Sequence, residues 1–278
     1  MMEMNHCIGV CSWSLQPASA ADLARKVKDV GLSAVQLALD PLRTGEWPAA
    51  EAAATLRRAG IEIRSGMMGM RGEDYSTLDA IRRTGGVRPD ADWEENLAAA
   101  GANADLAREL GVGLVTFHAG FLPHERRDPL RKVMIERLRA ITDAFAARGV
   151  RVALETGQEQ ADTLLGVLDE LDRPDVGVNF DPANMVLYGM GDPVAALRRL
   201  APRVAQCHIK DAVATETPGT WGAEVPVGEG IVNWPEFFAV IRDAGLICDL
   251  MIEREAGGDR PGDIRLAHEC VKACLGRK

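Results

Sequence analysis

The chain has 278 residues, 47% of them hydrophobic and 26% charged, and its 41 acidic side chains outnumber 32 basic ones for a formal net charge of −9. This composition excludes disorder and a collagen-like fibre, and the acidic balance argues against nucleic acid or an acidic membrane as a partner. No run reaches the ~18 apolar residues of a membrane helix, and Met1 to Cys11 lacks a basic segment followed by an apolar core, so the chain reads as cytoplasmic.

Taken in chain order, the first apolar run covers 7–12, and the helical stretch after it ends at Gly31-Leu32, just before a second run at 34–39. The third, 61–66, opens after Gly60-Ile61 and is followed by a long connection over 67–92. The fourth, 113–118, follows Gly111-Val112, and a helix with Met134, Leu138, Ile141 and Phe145 on one stripe leads through Gly149-Val150 to the fifth, 151–156. A second stripe, Ala161, Leu164, Leu165, Leu168 and Leu171, precedes the sixth run at 176–181. Asp192-Pro193 then opens a helix before the seventh, 204–209, and a second long connection occupies 212–233. Trp234-Pro235-Glu236 starts the next helix, and Gly245-Leu246 ends it before the eighth run, 248–254. Glycine just past a helix closes the last turn in the left-handed conformation, so each Gly-apolar pair reads as helix end and strand start.

Eight strands, each followed by a helical pattern, predict a single (β/α)8 TIM barrel over residues 1–278. An open doubly wound sheet is the alternative, opposed by the lack of a GxGxxG after the first strand. Both long connections would leave the C-terminal face, where barrel active sites lie. The six cysteines, Cys7, Cys11, Cys207, Cys248, Cys270 and Cys274, include no CxxC pair and read as small buried hydrophobes of a reducing compartment.

Strand side chains alternate between the barrel interior and the helices, so the uniformly apolar set marks the outer face. Val152 and Leu154 outward turn Ala153 and Glu155 inward, and Val178 and Phe180 outward leave Asn179 and Asp181 inside. Cys207 and Ile209 outward place Gln206, His208 and Lys210 inside, and Leu250 and Ile252 outward do the same for Met251, Glu253 and Glu255. The fourth strand adds Thr116 and His118. Unpartnered buried carboxylates cost several kcal/mol each, so Glu155, Asp181, His208 and Glu253 together call for a neutralising partner. One divalent cation, Mn²⁺ or Mg²⁺ for this oxygen-rich set, with Co²⁺ or Zn²⁺ as further candidates, supplies it. The alternative is a salt-bridged network through Lys210 and Arg254.

The strand ends Leu154-Glu155-Thr156, Asn179-Phe180-Asp181-Pro182, His208-Ile209-Lys210-Asp211 and Ile252-Glu253-Arg254-Glu255, with the Val227-Gly228-Glu229-Gly230 turn, resemble the sugar phosphate isomerase/epimerase group of xylose isomerase-like TIM barrels. The resemblance runs from the first strand to the last. It implies that Glu155, Asp181, His208 and Glu253 bind one divalent metal, often manganese, and that Glu155 and Glu253 serve as acid and base. A cation holding a carbonyl and the adjacent hydroxyl acidifies the intervening C–H and stabilises an enediolate, which can be reprotonated to isomerise or epimerise, or can expel a β-hydroxyl. Asn184 stands where ketose 3-epimerases of the family carry a substrate-contacting histidine. Asparagine donates a hydrogen bond but carries no charge.

His118 is either a substrate contact or a hydrogen-bonded core imidazole, while His124 reads as solvated. Gln158 contacts substrate, as does Glu159 unless it opens the following helix. Lys210 either meets a substrate oxygen or phosphate or pairs with Glu229 or Glu255, and Glu229 joins the substrate-binding candidates. Trp13 and Trp221 are candidates for an apolar wall against a sugar face. The expected activity is a metal-dependent isomerase or epimerase of a small sugar or polyol ketone. A dehydratase or lyase acting on a keto-cyclitol or 3-keto-sugar is the alternative on the same site, and a non-catalytic sugar-binding barrel the alternative of another class. An abasic-site endonuclease is opposed by a count of five histidines, of which only His118 and His208 lie at strand ends. No other cofactor motif appears, and a homo-oligomer is left open.

Overall fold

In a computed structural model, which describes residues 6–217 and 219–276, eight parallel strands close into a barrel. Residues 1–5, 218 and 277–278 of the expected single domain lie outside the described residues. The barrel strands are β1 (Ile8–Cys11), β2 (Ala34–Ala38), β3 (Glu62–Met67), β4 (Leu114–Phe117), β5 (Arg151–Glu155), β6 (Gly177–Phe180), β7 (Val204–Ile209) and, after the hairpin β8 (Asp211–Val213) and β9 (Ala223–Val225), β10 (Asp249–Ile252). Each barrel strand pairs with its sequence neighbour in the barrel, and β1 closes the ring on β10 in the register Ile8 to Leu250. All eight expected strands are present, with ends within two residues of the sequence reading.

The five glycines that end helices take positive φ values: 75° at Gly31, 66° at Gly60, 72° at Gly111, 71° at Gly149 and 62° at Gly245. Asp192 caps its helix by accepting from the Ala195 amide at 2.7 Å, and the helix entered through Trp234-Pro235 is capped by Asn233. The expected outward set, Val152, Leu154, Val178, Phe180, Cys207, Ile209, Leu250 and Ile252, is buried against the helices. Phe180 packs on Phe237 at 6.1 Å between ring centroids, and Phe237 on Trp234 at 5.2 Å, which fixes the end of β6 and therefore Asp181.

Barrel interiors are usually filled by branched aliphatics. Here Gln36, Ser65, Thr116, Asn179 and Gln206 are buried inside, and their polar groups satisfy one another. Ser65 donates to Gln206 at 2.6 Å, Gln206 to Asn179 at 3.0 Å and Gln36 to Thr116 at 2.8 Å. A connected network of this kind avoids the desolvation penalty of isolated polar groups and gives the barrel mouth a hydrogen-bonding floor.

The two long connections carry structure of their own. The segment after β3 contains a helix, Leu78–Thr84, and the segment after β7 contains the β8–β9 hairpin. Cys11, Cys207 and Cys248 are buried, while Cys7, Cys270 and Cys274 are only partly so, short of the uniform burial expected for them. Among the described residues, no helix is long and apolar enough to cross a membrane.

Candidate metal centre and active site

Glu155 is the last residue of β5, Asp181 and Glu253 each follow their strand directly, and His208 lies one residue inside the end of β7. Their donor atoms lie within 4.8 Å of one another, and all four residues are buried. His208 Nδ1 stands 3.5 Å from Glu155 Oε1, 3.4 Å from Asp181 Oδ2 and 3.2 Å from Glu253 Oε2. Yet His208 Nδ1 and Asp181 Oδ2 are buried without a hydrogen-bond partner. Adjacent donors around a small divalent ion with bonds of ~2.1 Å are separated by about 3 Å, so these separations and the orphaned atoms fit one such cation.

Neighbours fix the orientation of every candidate ligand. Asp181 Oδ1 caps the helix Pro182–Leu187 by accepting from the Asn184 amide at 2.9 Å, which leaves Oδ2 for the cluster. Glu155 accepts from Asn179 at 2.9 Å and from Asn184 at 3.0 Å, and Glu253 accepts from Trp13 Nε1 at 2.7 Å and Lys210 Nζ at 3.0 Å. Gln36 directs its amide nitrogen to Thr116 Oγ1 at 2.8 Å and the Gly66 carbonyl at 3.5 Å. The Gly66 oxygen can only accept, so Gln36 Oε1 faces His208 Nε2, at 2.7 Å, and draws the hydrogen to that nitrogen against the Asn179 amide nitrogen, which stands 3.0 Å from it. The lone pair of Nδ1 is thereby turned on the cluster, the usual second hydrogen bond of a metal-ligating histidine.

Electrostatics point the same way. Burial pushes Asp181 up to about 6, with Lys210 opposing. Burial also raises Glu155, but His118 and His208 outweigh it and leave the carboxyl lowered. At Glu253 the Lys210 ammonium and His208 overcome burial and hold the group well below the usual range. Burial disfavours a proton on His208, yet Glu155, Cys11 and Glu253 draw its affinity well above the ordinary value. The carboxylates thus demand positive charge at one point, which a divalent cation can meet in place of a proton.

The salt-bridge alternative is half realised. Lys210 reaches Glu255 at 2.6 Å as well as Glu253, but Arg254 turns to Glu224 and Asp263, at 2.8 Å each, away from the four ligands. Lys210 alone does not neutralise three buried carboxylates, and without a cation the balance falls on a proton at His208 or Asp181.

Above the cluster lies a cavity of about 440 Å³ whose lining includes Trp13, His118, Asn184, Lys210 and Glu253. His118 Nε2 is 3.5 Å from Glu155 Oε1, and its Nδ1 is buried without a partner. Asn184 bridges Glu155 and, at 3.4 Å, Lys210, so it positions a ligand while facing the cavity. Gly157 makes this possible, because a Cβ there would lie 2.5 Å from the Cβ of Asn184. Gln158 lies behind the wall and donates to the Tyr188 hydroxyl at 3.2 Å. Glu159 does not cap the following helix, which is entered from Gln160; it is buried, with one oxygen unpartnered, and burial pushes it up to about 8. Glu229 is exposed and absent from the described lining, and Trp221 does join the wall. His124 is exposed and shares a hydrogen bond with Thr163 at 2.8 Å. A second hollow, about 540 Å³, is lined by His124, Arg126 and Arg131 but by none of the ligand residues.

Several working residues escaped the sequence reading. Gln36 interrupts the apolar run Ala34-Val35-Gln36-Leu37-Ala38, the same signal that exposed Asn179 and Gln206. Asp211 holds the Gly228-Glu229-Gly230 turn, accepting from the Gly228 amide at 2.9 Å, the Val232 amide at 3.2 Å and Trp234 Nε1 at 2.9 Å. Glu224 of the hairpin clamps the segment after β10 through Arg254 and the Glu255 amide at 2.9 Å. Glu73 and Tyr75 reach the cavity from the first long connection, and only its length hinted at them.

Comparison with known proteins bears on the fold and the family. A solved xylose isomerase domain protein from Planctomyces limnophilus is 32% identical, with a TM-score of 0.84, covering 90% of this chain and 91% of that one. A xylose isomerase-like TIM barrel protein from Mycobacterium smegmatis, solved in complex with magnesium, shares the fold at 20% identity and a TM-score of 0.73, covering 98% and 97% of the two chains. Sugar 3-epimerases are also among the solved barrels of this shape. The 3-dehydroshikimate dehydratase of Bacillus anthracis is 28% identical over 175 residues, 55% of this chain and 60% of the relative. The matches to curated relatives span 38% to 60% of those proteins' lengths. The family model for the xylose isomerase-like TIM barrel matches residues 24–274, so the chain belongs to that family.

Proposed function

We propose that the chain is a divalent-metal-dependent sugar isomerase or epimerase that moves a proton at a carbon next to a carbonyl, with Glu155 and Glu253 as its acid–base pair. The observation that carries this reading is the convergence of Glu155, Asp181, His208 and Glu253 on one point beneath a cavity, with two of their buried donor atoms unpartnered. A bound divalent cation would polarise the ketone and stabilise the negative charge that builds on its oxygen as the proton leaves. Mn²⁺ is the favoured ion for a set of three carboxylates and one imidazole.

The two glutamates are held differently. Glu253 is gripped by Trp13 and the Lys210 ammonium, whereas Glu155 is held by the neutral amides of Asn179 and Asn184 with His118 beside it. Each side chain is thus oriented before substrate arrives, which spares the reaction the cost of ordering them. His118 and Lys210 line the cavity within reach of substrate oxygens, and Asn184 keeps both Glu155 and Lys210 in place.

A dehydratase or lyase acting on a keto-cyclitol or 3-keto-sugar is the second reading, favoured by the likeness to the Bacillus anthracis dehydratase. Both begin with removal of the same proton. The test is proton NMR in D₂O with Mn²⁺-treated, then Mg²⁺-exchanged protein and a panel of ketoses, inososes and keto-sugars. Exchange at one carbon without loss of mass is expected for an isomerase or epimerase, and loss of water would mark the dehydratase. Glu253→Gln should lower exchange by about 10²–10⁴-fold, the usual contribution of a positioned acid or base. Turnover that survives this change contradicts the two-glutamate mechanism.

A further inference from the structure

A second cluster of reactive groups lies outside the cavity, against the outer face of the barrel. Cys207 is in β7 and Cys248 directly precedes β10, the neighbouring strand, in which Leu250 pairs with Cys207. Their sulfurs stand 3.9 Å apart, and both residues are buried. Successive side chains of a strand alternate in direction, so this contact is on the face of β7 opposite His208.

A third group distinguishes the pair from ordinary buried cysteines. His6 donates through Nδ1 to the Cys248 carbonyl at 2.9 Å, and its Nε2 is buried without a hydrogen-bond partner. The hydrogen bond with Cys207, joined by His6, outweighs burial and lowers Cys248 to about 6, while Cys248 raises His6. Cys7, the residue after His6, is instead raised by burial. The thiolate is the nucleophilic form of cysteine, and a second thiol in contact with it can resolve the first oxidation product. Ile247, the residue before Cys248, is 78% exposed, so the sulfur lies just under the surface, within reach of a small oxidant.

We propose that Cys207 and Cys248 are a peroxide-sensitive dithiol that closes to a disulfide and weakens the metal centre carried by the same two strands. The Cys248 thiolate attacks hydrogen peroxide: an S–O bond forms, the O–O bond breaks, and the departing hydroxide takes a proton from the His6 imidazolium to leave as water. Cys207 then attacks the sulfenic sulfur. An S–S bond forms, the S–O bond breaks, and the Cys207 proton leaves with the hydroxyl as a second water. The two sulfurs together lose two electrons, and the peroxide gains them. His208 directly follows Cys207, and Glu253 directly follows β10. Drawing the sulfurs together shifts these strands against each other, whereas ligand distances around a small cation hold to within about 0.2 Å. The coupling rests on the proposed metal centre; the dithiol stands apart from it.

Tryptic cleavage places the two cysteines in peptides 204–210 and 243–254, one in each, so a bridge between them can be read directly. The reduced protein is treated with hydrogen peroxide, catalase removes the excess, and intact mass and non-reducing peptide maps are recorded. The expected result is a loss of two hydrogens per chain, a linked peptide joining 204–210 to 243–254, and its return to free thiols with dithiothreitol. Cys207→Ser is expected to halt at a sulfenic acid on Cys248, trapped by dimedone, and Cys248→Ser to leave Cys207 reduced. Calorimetric titration of the bridged protein should show a Mn²⁺ affinity at least about tenfold below that of the reduced protein. A native chain that gives no linked peptide, or one that joins Cys7 or another cysteine instead, overturns the proposal. A bridge that leaves Mn²⁺ affinity unchanged overturns the coupling. A reduced chain that takes up no Mn²⁺ contradicts the metal centre and the coupling with it, while the peptide map still decides the bridge.

Discussion

Gln36 biases which nitrogen of His208 carries the hydrogen, because its own amide is pinned by Thr116 and the Gly66 carbonyl. Gln36→Leu removes the acceptor at Nε2 and frees the imidazole to change tautomer, so Mn²⁺ affinity measured by calorimetry should fall by about 10–100-fold with the four ligands intact. Glu159 offers a separate test. Burial raises its carboxyl to about 8 in the folded chain, above the ordinary 4.5, so the native state binds the proton more tightly than the unfolded chain does. Stability from this group is complete at pH below the unfolded value and is lost as pH rises through about 8. Glu159→Gln should therefore raise stability at pH 7 by an amount on the order of 3 kcal/mol, and by little at pH 4, in urea unfolding at both pH values. The cluster of Glu155, Asp181, His208 and Glu253 was legible because three carboxylates and an imidazole stood in or just past otherwise apolar strands. Gln36 carried the same signal without a charge to draw attention. Glu229 was drawn into the site by its neighbours in the sequence, but Asp211 ties the turn down so that its side chain faces solvent.

At the scale of elements, Asp211 is the residue on which the seventh loop is folded. Its carboxylate accepts from the Ala212, Gly228 and Val232 amides and from Trp234 Nε1, and a Cβ on Gly230 would lie 2.0 Å from its Oδ1. Asp211→Ala leaves these donors without an acceptor, and a cost of about 3 kcal/mol is expected in denaturant unfolding. Hydrogen exchange should quicken over 226–232 before it does in the barrel strands. Length alone marked the two long connections as unusual. Strands of three residues, such as β8 and β9, are too short to show a period, and their pairing depends on contacts that local sequence does not record. The barrel helices were readable because each carries a stripe, a cap or a closing glycine.

For the molecule as a whole, the barrel was legible because each strand–helix unit repeats the same punctuation, and parallel pairing with right-handed crossovers leaves few ways to close eight of them. What could not be read was the polar interior. Pattern shows that Thr116 and Gln206 turn inward but not which residues they meet, since such contacts join strands as far apart as β3 and β7, where Ser65 donates to Gln206. A ligand that binds only the folded chain stabilises it by mass action, and Mn²⁺ at a hundred times its Kd should add about 2.7 kcal/mol. For a chain of this size that corresponds to a rise in Tm of roughly 5 °C in scanning calorimetry. The central claim is that Glu155, Asp181, His208 and Glu253 together hold one divalent cation. It is tested most directly by a Mn²⁺ titration followed by electron paramagnetic resonance, on the native protein and on the double variant Asp181→Asn, His208→Ala. The account predicts one tightly bound ion per chain in the native protein and none in the variant. An ion retained by the variant with unchanged affinity, or no tight ion in either, would contradict it.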